Sequence, residues 1–479
     1  MKTIACVCAV VLALVASETG LLAQPPDTLW TRTFGAAGSD GALCVRQTWD
    51  GGFIAAGSTS SFGVWGDAWL IRINAQGDSI WSRNYGGLDE DVANSVLQTA
   101  DSGLVFAGYT RTSPAGCDGW LVRTNAAGDT LWTRRLVHNH NEMLTSVQPT
   151  EDGGYVLTGY LRAPASGYYD GWLIRTNAAG DTLWTRTFGG VYEDCFYEAC
   201  ETFDGGFVAA GYGGSNRCFW LVKTNGNGDC LWSRTFCAPS SAAVARSLQQ
   251  TADSGFVIAG WGDVRSTGTF DFWLIKTDAS GDSLWSRVYG GNADDFAYCV
   301  RTTRDGGFVL CGGTGYGTPS GIRVIRTNAA GDSLWGLAFD EIEGHARCVE
   351  VTTDGGYILA GYATPIGSAN SDLWLMRLAL DVSSAGNSCS LHPSSFILSV
   401  FPNPFNPVTE IAYDLAKAGR VSLRVFDLLG REVAVLKDGF AEAGSHRITF
   451  DGGELSSGIY ICRLQAGTRA ESRKLVLIR

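Results

Sequence analysis

With 62 glycines, 16 tryptophans and only 18% charged residues, this chain of 479 residues is too rich in turn formers and aromatics for disorder, and long enough for two or three domains. Its 36 basic and 48 acidic residues leave a formal charge of −12, which argues against nucleic acid or any general polyanion spread over its surface. At the start, Lys2 precedes an apolar run from Ile4 to Ala16, and small residues lead to Ala23-Gln24. That is the pattern of a secretory signal over residues 1–23, too short for a comfortable membrane span. Cys6 lies too early to be a lipid-modified first residue, and no later segment is apolar enough to cross a bilayer. Cys6 and Cys8 leave with the signal, so twelve of the 14 cysteines meet an oxidising environment. No CxxC pair suggests zinc.

From Asp27 to Asp381 a segment of about fifty residues recurs, starting at Asp27, Asp78, Asp129, Asp181, Asp229, Asp282 and Asp332 with Asp-(Thr/Ser/Cys)-(Leu/Ile)-Trp. The fourth copy shows the strand patterns: Leu183–Phe188, Glu198–Thr202, Phe207–Gly211 and Phe219–Thr224, with turns at Asp204-Gly205-Gly206 and Asn225-Gly-Asn-Gly228. Runs such as Trp172-Leu-Ile-Arg175 are apolar on both faces, as strands covered on each side require. The expectation is all-β: a seven-bladed β-propeller over 27–381. A short turn does not cross a four-stranded sheet about 14 Å wide. Each blade therefore runs from the strand before Asp-Gly-Gly outward to the Leu-Trp-Thr-Arg strand. The orphan strand Leu29–Phe34 then completes the last blade, which ends at Leu373–Arg377.

Candidate sites follow where copies agree and where they differ. An acidic residue stands ten positions before the turn Asp in five copies, Asp40, Asp91, Glu142, Asp194 and Asp295, interrupted by Ala243 and Gly344. Around one mouth of a ring they would suit Ca2+ or a cationic ligand, while their repetition equally suits fixing their own loops. Trp49, Trp65 and Trp261 fall outside the repeated tryptophan positions and are candidates for stacking on a glycan or protein. His138 and His140 alternate ahead of Glu142, and His345 occupies the matching loop of the seventh copy, as further ligand-binding candidates. No nucleophile elbow or Cys/His arrangement stands out, so no catalytic residue is assigned. Cys44, Cys299 and Cys348 alternate with Ser95, Ser146 and Ser247 at one repeat position and read as small buried residues. Cys218 and Cys237 fall nearly opposite one another on one hairpin and are the expected disulfide.

The repeat stops at Asp381. Residues 382–395 are Ser-rich and read as a linker, and about seven short strand patterns over 396–479 fit an immunoglobulin-like β-sandwich. Within it stand Phe401-Pro402-Asn403-Pro404-Phe-Asn-Pro407, Val421 to Val433 with its Leu-Leu-Gly430 turn, Ser457-Gly-Ile-Tyr460, and Arg473-Lys474-Leu475-Val476-Leu477-Ile-Arg479. In this order they resemble the type A C-terminal sorting domain of type IX secretion cargo. The resemblance implies export through the periplasm, engagement with the type IX machinery, and a secreted or outer-surface destination, with the final strand important for recognition. The repeats are similar to secreted propeller-like repeats often joined to such domains. The expected function is a non-enzymatic propeller that binds an extracellular protein or glycan. The alternative is a secreted carbohydrate-active hydrolase or lyase using carboxylates at one mouth.

Overall fold

The structure, a computed structural model, describes residues 24–63, 66–112, 116–137, 141–164, 166–239, 242–315, 321–365, 368–381, 397–401, 405–415, 419–427, 431–442, 444–466 and 469–477. The expected signal and linker fall outside these residues, as do Trp65, His138, His140, Pro402, Asn403, Pro404 and Gly430. The described elements are all strands, and the first twenty-eight form seven four-stranded antiparallel sheets. Blade 1 comprises Asp40–Gln47, Phe53–Thr59, Asp67–Ile73 and Ser79–Tyr85 from inner to outer edge. Blades 2 to 6 repeat this order from Asp91, Glu142, Cys195, Ala243 and Asp295. Blade 7 supplies Glu343–Val351, Tyr357–Thr364 and Asp372–Leu378, and its outer strand is Thr28–Phe34 from the start of the chain. Phe34 faces Leu373 and Arg32 faces Leu375, so the ring closes as the phase of the repeat requires.

The recurrent sequence motifs are two kinds of fastener. In the inner hairpin of blade 1 the Thr48 hydroxyl donates to Asp50 at 2.7 Å and the Gly52 amide at 3.2 Å, while Arg72 donates from the third strand at 2.5 Å. The same cation and aspartate pair recurs in every blade, as Arg123–Asp101, Arg175–Asp152, Lys223–Asp204, Lys276–Asp253, Arg326–Asp305 and Arg377–Asp354. Burial works against ionising Asp204, yet the bonds from Thr202 and Lys223 hold its carboxyl down to about 2. The second glycine of each Asp-Gly-Gly makes room for the cation: a Cβ at Gly154 would collide with the Arg175 guanidinium and the Thr176 carbonyl.

On the outer edge each blade grips the next. Trp30 Nε1 donates to the Ala75 carbonyl at 3.0 Å and Arg32 to the Gln76 carbonyl at 3.1 Å, with the Arg32 guanidinium 5.8 Å over the Trp30 ring. Trp184 and Arg186 repeat this on Gly226 and Asn227 at 3.0 and 2.9 Å. Between these edges the two middle strands are buried throughout in blade 4, Phe207–Gly213 and Cys218–Thr224. Cys218 and Cys237 form the expected disulfide. Buried Asp381 closes the repeat by accepting from Arg326 at 2.9 Å, Tyr357 at 2.6 Å and Trp335 at 3.3 Å.

The C-terminal unit has two sheets, one of Ile397–Phe401, Val408–Leu415 and Gly444–Asp451, the other of Glu432–Ala441, Gly419–Asp427, Gly458–Ala466 and Arg469–Leu477. Phe405, Tyr413, Leu423, Cys462 and Leu464 fill the core between them. Of the expected sorting residues, Leu475 and Leu477 enter this core, Val476 is half-buried, and Lys474 lies on the same final strand.

Removing Asp27–Phe34 should expose the Leu373–Arg377 edge, lower the thermal midpoint by roughly 5–10 °C and promote self-association. Differential scanning calorimetry with size-exclusion chromatography measures both. An unchanged midpoint would contradict closure by the chain ends.

Candidate functional site

Each inner strand shifts register against its neighbour at one place: between Ala42 and Cys44, Ala93 and Ser95, Leu144 and Ser146, Phe196 and Glu198, Ala245 and Ser247, Ala297 and Cys299, and Ala346 and Cys348. The skipped residue is a β-bulge, and a bulge re-aims a side chain. Here these residues are Leu43, Asn94, Thr145, Tyr197, Arg246, Tyr298 and Arg347, each half-buried between buried neighbours on the innermost strand of its blade. The position that follows holds the ring together. Cys44, Ser95, Ser247, Cys299 and Cys348 donate to the carbonyls of Val96, Val147, Val300, Val349 and Val45 in the next blade. That contact explains why Cys and Ser interchange there.

In blades 4 to 7 the bulges form an arc of alternating tyrosine and arginine. The Arg246 guanidinium lies 4.0 Å from the Tyr197 ring and 5.9 Å from Tyr298. Arg347 lies 4.0 Å from Tyr298 and 5.4 Å from Tyr362. The Nε of both arginines is buried without a hydrogen-bond partner, and among the described residues neither arginine makes an ion pair. Stacking orients a guanidinium and leaves its in-plane donors available. Further rings extend the arc: Tyr160 meets Tyr169 and Tyr197, and half-buried Trp261 meets Phe270 and Phe296 edge-on or tilted with these rings. His345 is buried, stacks on Tyr362, and has Nδ1 3.2 Å from the Tyr298 hydroxyl. Burial, with Arg347 nearby, pushes its pKa down to about 4. The imidazole is therefore neutral at ordinary pH.

Further along the inner strands, a cavity of about 410 Å³ is lined by Arg46, Gln148, Glu198, Arg301 and Glu350. Its charges are already matched, Arg301 with Glu198 at 3.0 Å and Arg46 with Glu350 at 3.4 Å. Another cleft, of about 500 Å³, lies between blades 5 and 6, where Arg323 stands in place of the repeated tryptophan and pairs with Asp340 at 2.6 Å. Asp295 and Tyr289 also line it. Burial raises the Asp295 carboxyl to about 6.

The five repeated acids stand at the start of the inner strands, and four of them bond to the loop that leads into the strand or to the end of the neighbouring second strand and its loop. Asp40 accepts from Thr59 at 2.5 Å and Ser61 at 2.6 Å, Asp91 from the Gly87 amide at 2.8 Å, Asp194 from Gly190 at 2.9 Å and Gly214 at 2.8 Å, and Asp295 from Gly291 at 3.1 Å. Glu142 is buried at the equivalent place. Among the described residues no three His, Cys, Asp or Glu side chains converge to hold a metal ion. Trp49 sits exposed on the opposite hairpin turn, its amide bonded to Gln98. Tyr197, Arg246, Tyr298 and Arg347 escaped sequence reading. The signal was present: they occupy one column, directly before the Cys/Ser column, and are its bulkiest members.

Residues 399–478 match the family described as the secretion system C-terminal sorting domain. No curated protein matches the chain. Among solved structures it is similar to PorZ of Porphyromonas gingivalis, an essential bacterial surface component of the type-IX secretion system, with 13% identity over 93% of this chain and TM-score 0.44. The match spans 60% of PorZ. It is also similar to the polysaccharide lyase Uly1, with 10% identity, 73% of this chain, 92% of that one and TM-score 0.46. Sqt1 from Chaetomium thermophilum matches at 12% identity, 74% of this chain, 99% of that one and TM-score 0.42.

The depressed His345 pKa has a pH consequence. Because the folded value lies below the ordinary ~6.5, its contribution to stability is complete above that pH and is lost as pH falls towards 4. Between pH 7 and pH 4 the stability advantage of wild type over His345→Asn should shrink by about 2–3 kcal/mol. Urea unfolding at a series of pH values measures it, and a difference independent of pH would contradict the assignment.

Proposed function

We propose that this type IX cargo, sorted by its C-terminal domain to the cell surface or the medium, is a non-enzymatic propeller whose axial arc captures anionic groups of an extracellular glycan. The observation that carries the proposal is the pair Arg246 and Arg347, each held 4.0 Å over a tyrosine ring with no ion-pair partner among the described residues. Guanidinium recognises carboxylate and sulfate by paired hydrogen bonds, and tyrosine faces suit sugar rings. The overall charge of −12 repels a polyanion from the surface at large, so capture is confined to the arc.

One observation favours a second reading, a lyase acting on the same class of polymer. Tyr298 and neutral His345 form a hydrogen-bonded pair beside Arg347, the kind of group that could exchange a proton next to a bound carboxylate. The burial of His345 weighs against it. Accumulation of unsaturated sugar products would select this reading over simple capture.

The full exported chain should bind uronate-rich or sulfated polysaccharide and not neutral polysaccharide, with affinity falling as salt rises. Arg246→Gln and Arg347→Gln should each weaken binding by about tenfold. Isothermal titration calorimetry measures it. Equal binding to neutral polymers, or indifference to both substitutions, would overturn the proposal, and binding only to a protein partner would reassign the arc.

Removing residues 397–479 should leave the protein in the periplasm. Fractionation of cells checks this, and normal surface delivery would refute the sorting role.

A further inference from the structure

Where one blade meets the next, a residue at the start of the third strand approaches a residue at the start of the following inner strand across the residue that follows the outer strand. At four interfaces this trio is Asp-Gly-Asp: Asp372, Gly35 and Asp40; Asp67, Gly86 and Asp91; Asp170, Gly189 and Asp194; Asp271, Gly290 and Asp295. A Cβ at Gly86 would collide with Asp91 Oδ2 and lie 3.1 Å from Asp67 Oδ1. At Gly35 it would collide with Asp372 Oδ1 and lie 2.6 Å from Asp40 Oδ2. The facing carboxylate oxygens are therefore within about 5 Å of one another, a separation at which two bare negative charges in a buried place repel strongly.

The trio changes as a unit along the chain. At the interface of blades 4 and 5 both acids are gone, and Cys218 in the place of the Asp bridges to Cys237 in the place of the glycine, beside Ala243. At blades 6 and 7 the positions are Gly321, Asp340 and Gly344, and Asp340 is taken by Arg323. At blades 2 and 3 they are Asp118, Val137 and Glu142, with Arg135 bonded to Asp118. Glycine thus appears at every interface with two aspartates and at none of the others. An arginine or a disulfide stands wherever the trio is broken. At Asp271 the Arg265 Nε lies 3.6 Å from Oδ2 and supplies part of a counter-charge.

Three pairs have no such cation among the described residues: Asp372 with Asp40, Asp67 with Asp91, and Asp170 with Asp194. Asp67 is only 6% exposed, and its Oδ1, directed at the gap, has no partner; Oδ2 accepts from Asn84 at 2.7 Å. Asp170 Oδ1 is likewise buried without a partner and faces the same gap in its own trio. Burial, together with Asp67 and Asp89, raises the Asp91 carboxyl against the bonds from Thr110 and Gly87. We propose that the two pairs with such an unpartnered oxygen, Asp67 with Asp91 and Asp170 with Asp194, each hold one divalent cation between two blades, calcium by the hardness of an all-oxygen donor set completed by water and backbone carbonyls. At the third pair both Asp40 oxygens already accept from Thr59, Ser61 and the Ala36 amide. The sites would be two-carboxylate bridges, and would pin blade 1 to blade 2 and blade 3 to blade 4 where no arginine or disulfide does so.

The test titrates calcium chloride alone into the full exported chain, stripped beforehand with chelator, by isothermal titration calorimetry, with the thermal midpoint measured in parallel. The expected results are saturable binding with two equivalents, a midpoint raised by several degrees, loss of one equivalent in Asp67→Asn, and no loss in Asp118→Asn, whose carboxylate already has Arg135. Should Asp67→Asn fail to fold, terbium luminescence on the unaltered chain reads the same sites, and displacement by calcium is expected. No saturable heat, no terbium displacement, or full stoichiometry in a folded Asp67→Asn would overturn the proposal. So would a midpoint that ignores calcium and rises on acidification from about pH 7 to about pH 5, which would assign each pair a shared proton instead.

Discussion

The structure depends first on a buried cation in the third strand of every blade, gripping the aspartate of the inner hairpin turn. Arg326, wholly buried, shows the pattern at full strength, with Asp305 on one side and Asp381 and Tyr357 on the other. Removing the carboxylate from such a cation leaves its buried charge with backbone carbonyls as its main partners, which destabilises the turn. The clamp fixes the turn, the turn fixes the register of the two innermost strands, and the register places the bulge. Everything that faces the axis inherits its position from that sequence of constraints.

Seven copies of one clamp make the scaffold uniform, which frees the bulge column to vary. Blades 1 to 3 put Leu43, Asn94 and Thr145 there, and the last two bond to the neighbouring blade through the Leu144 and Phe196 carbonyls. Blades 4 to 7 put Tyr197, Arg246, Tyr298 and Arg347 in the same places, and among the described residues the arginines rest on tyrosine rings without a carboxylate partner. The clamp and the hairpin turns are the same in all seven blades, so the scaffold does not require tyrosine and arginine at these four positions. The matched ion pairs of Arg301 and Arg46 further along the same strands serve the opposite purpose: they neutralise the axis.

Much of the fold was legible because its determinants are local and repeated. Asp-Gly-Gly turns, the two-faced apolar strands and the unpaired strand at each chain end lead to seven closed blades, and Cys218 with Cys237 could be placed by hairpin alignment alone. The arc was not legible for a physical reason. A bulge leaves no mark on strand alternation when the residues on either side are all small or apolar, so Arg246 and Arg347 read as ordinary strand positions. The acidic column was visible, but not its partners, since Asp67 and Asp91 belong to different blades and meet only when the ring is assembled. His345 was visible as a loop histidine; its burial against Tyr362 required the neighbouring strand.

The claim that the unsatisfied arginines are the binding site is tested most directly by a crystal structure of the exported chain with a uronate or sulfate-bearing oligosaccharide. An anionic group within hydrogen-bond distance of both Arg246 and Arg347, with sugar rings against Tyr197 or Tyr298, is the predicted result. Oligosaccharide bound elsewhere while both guanidinium groups remain free would contradict it.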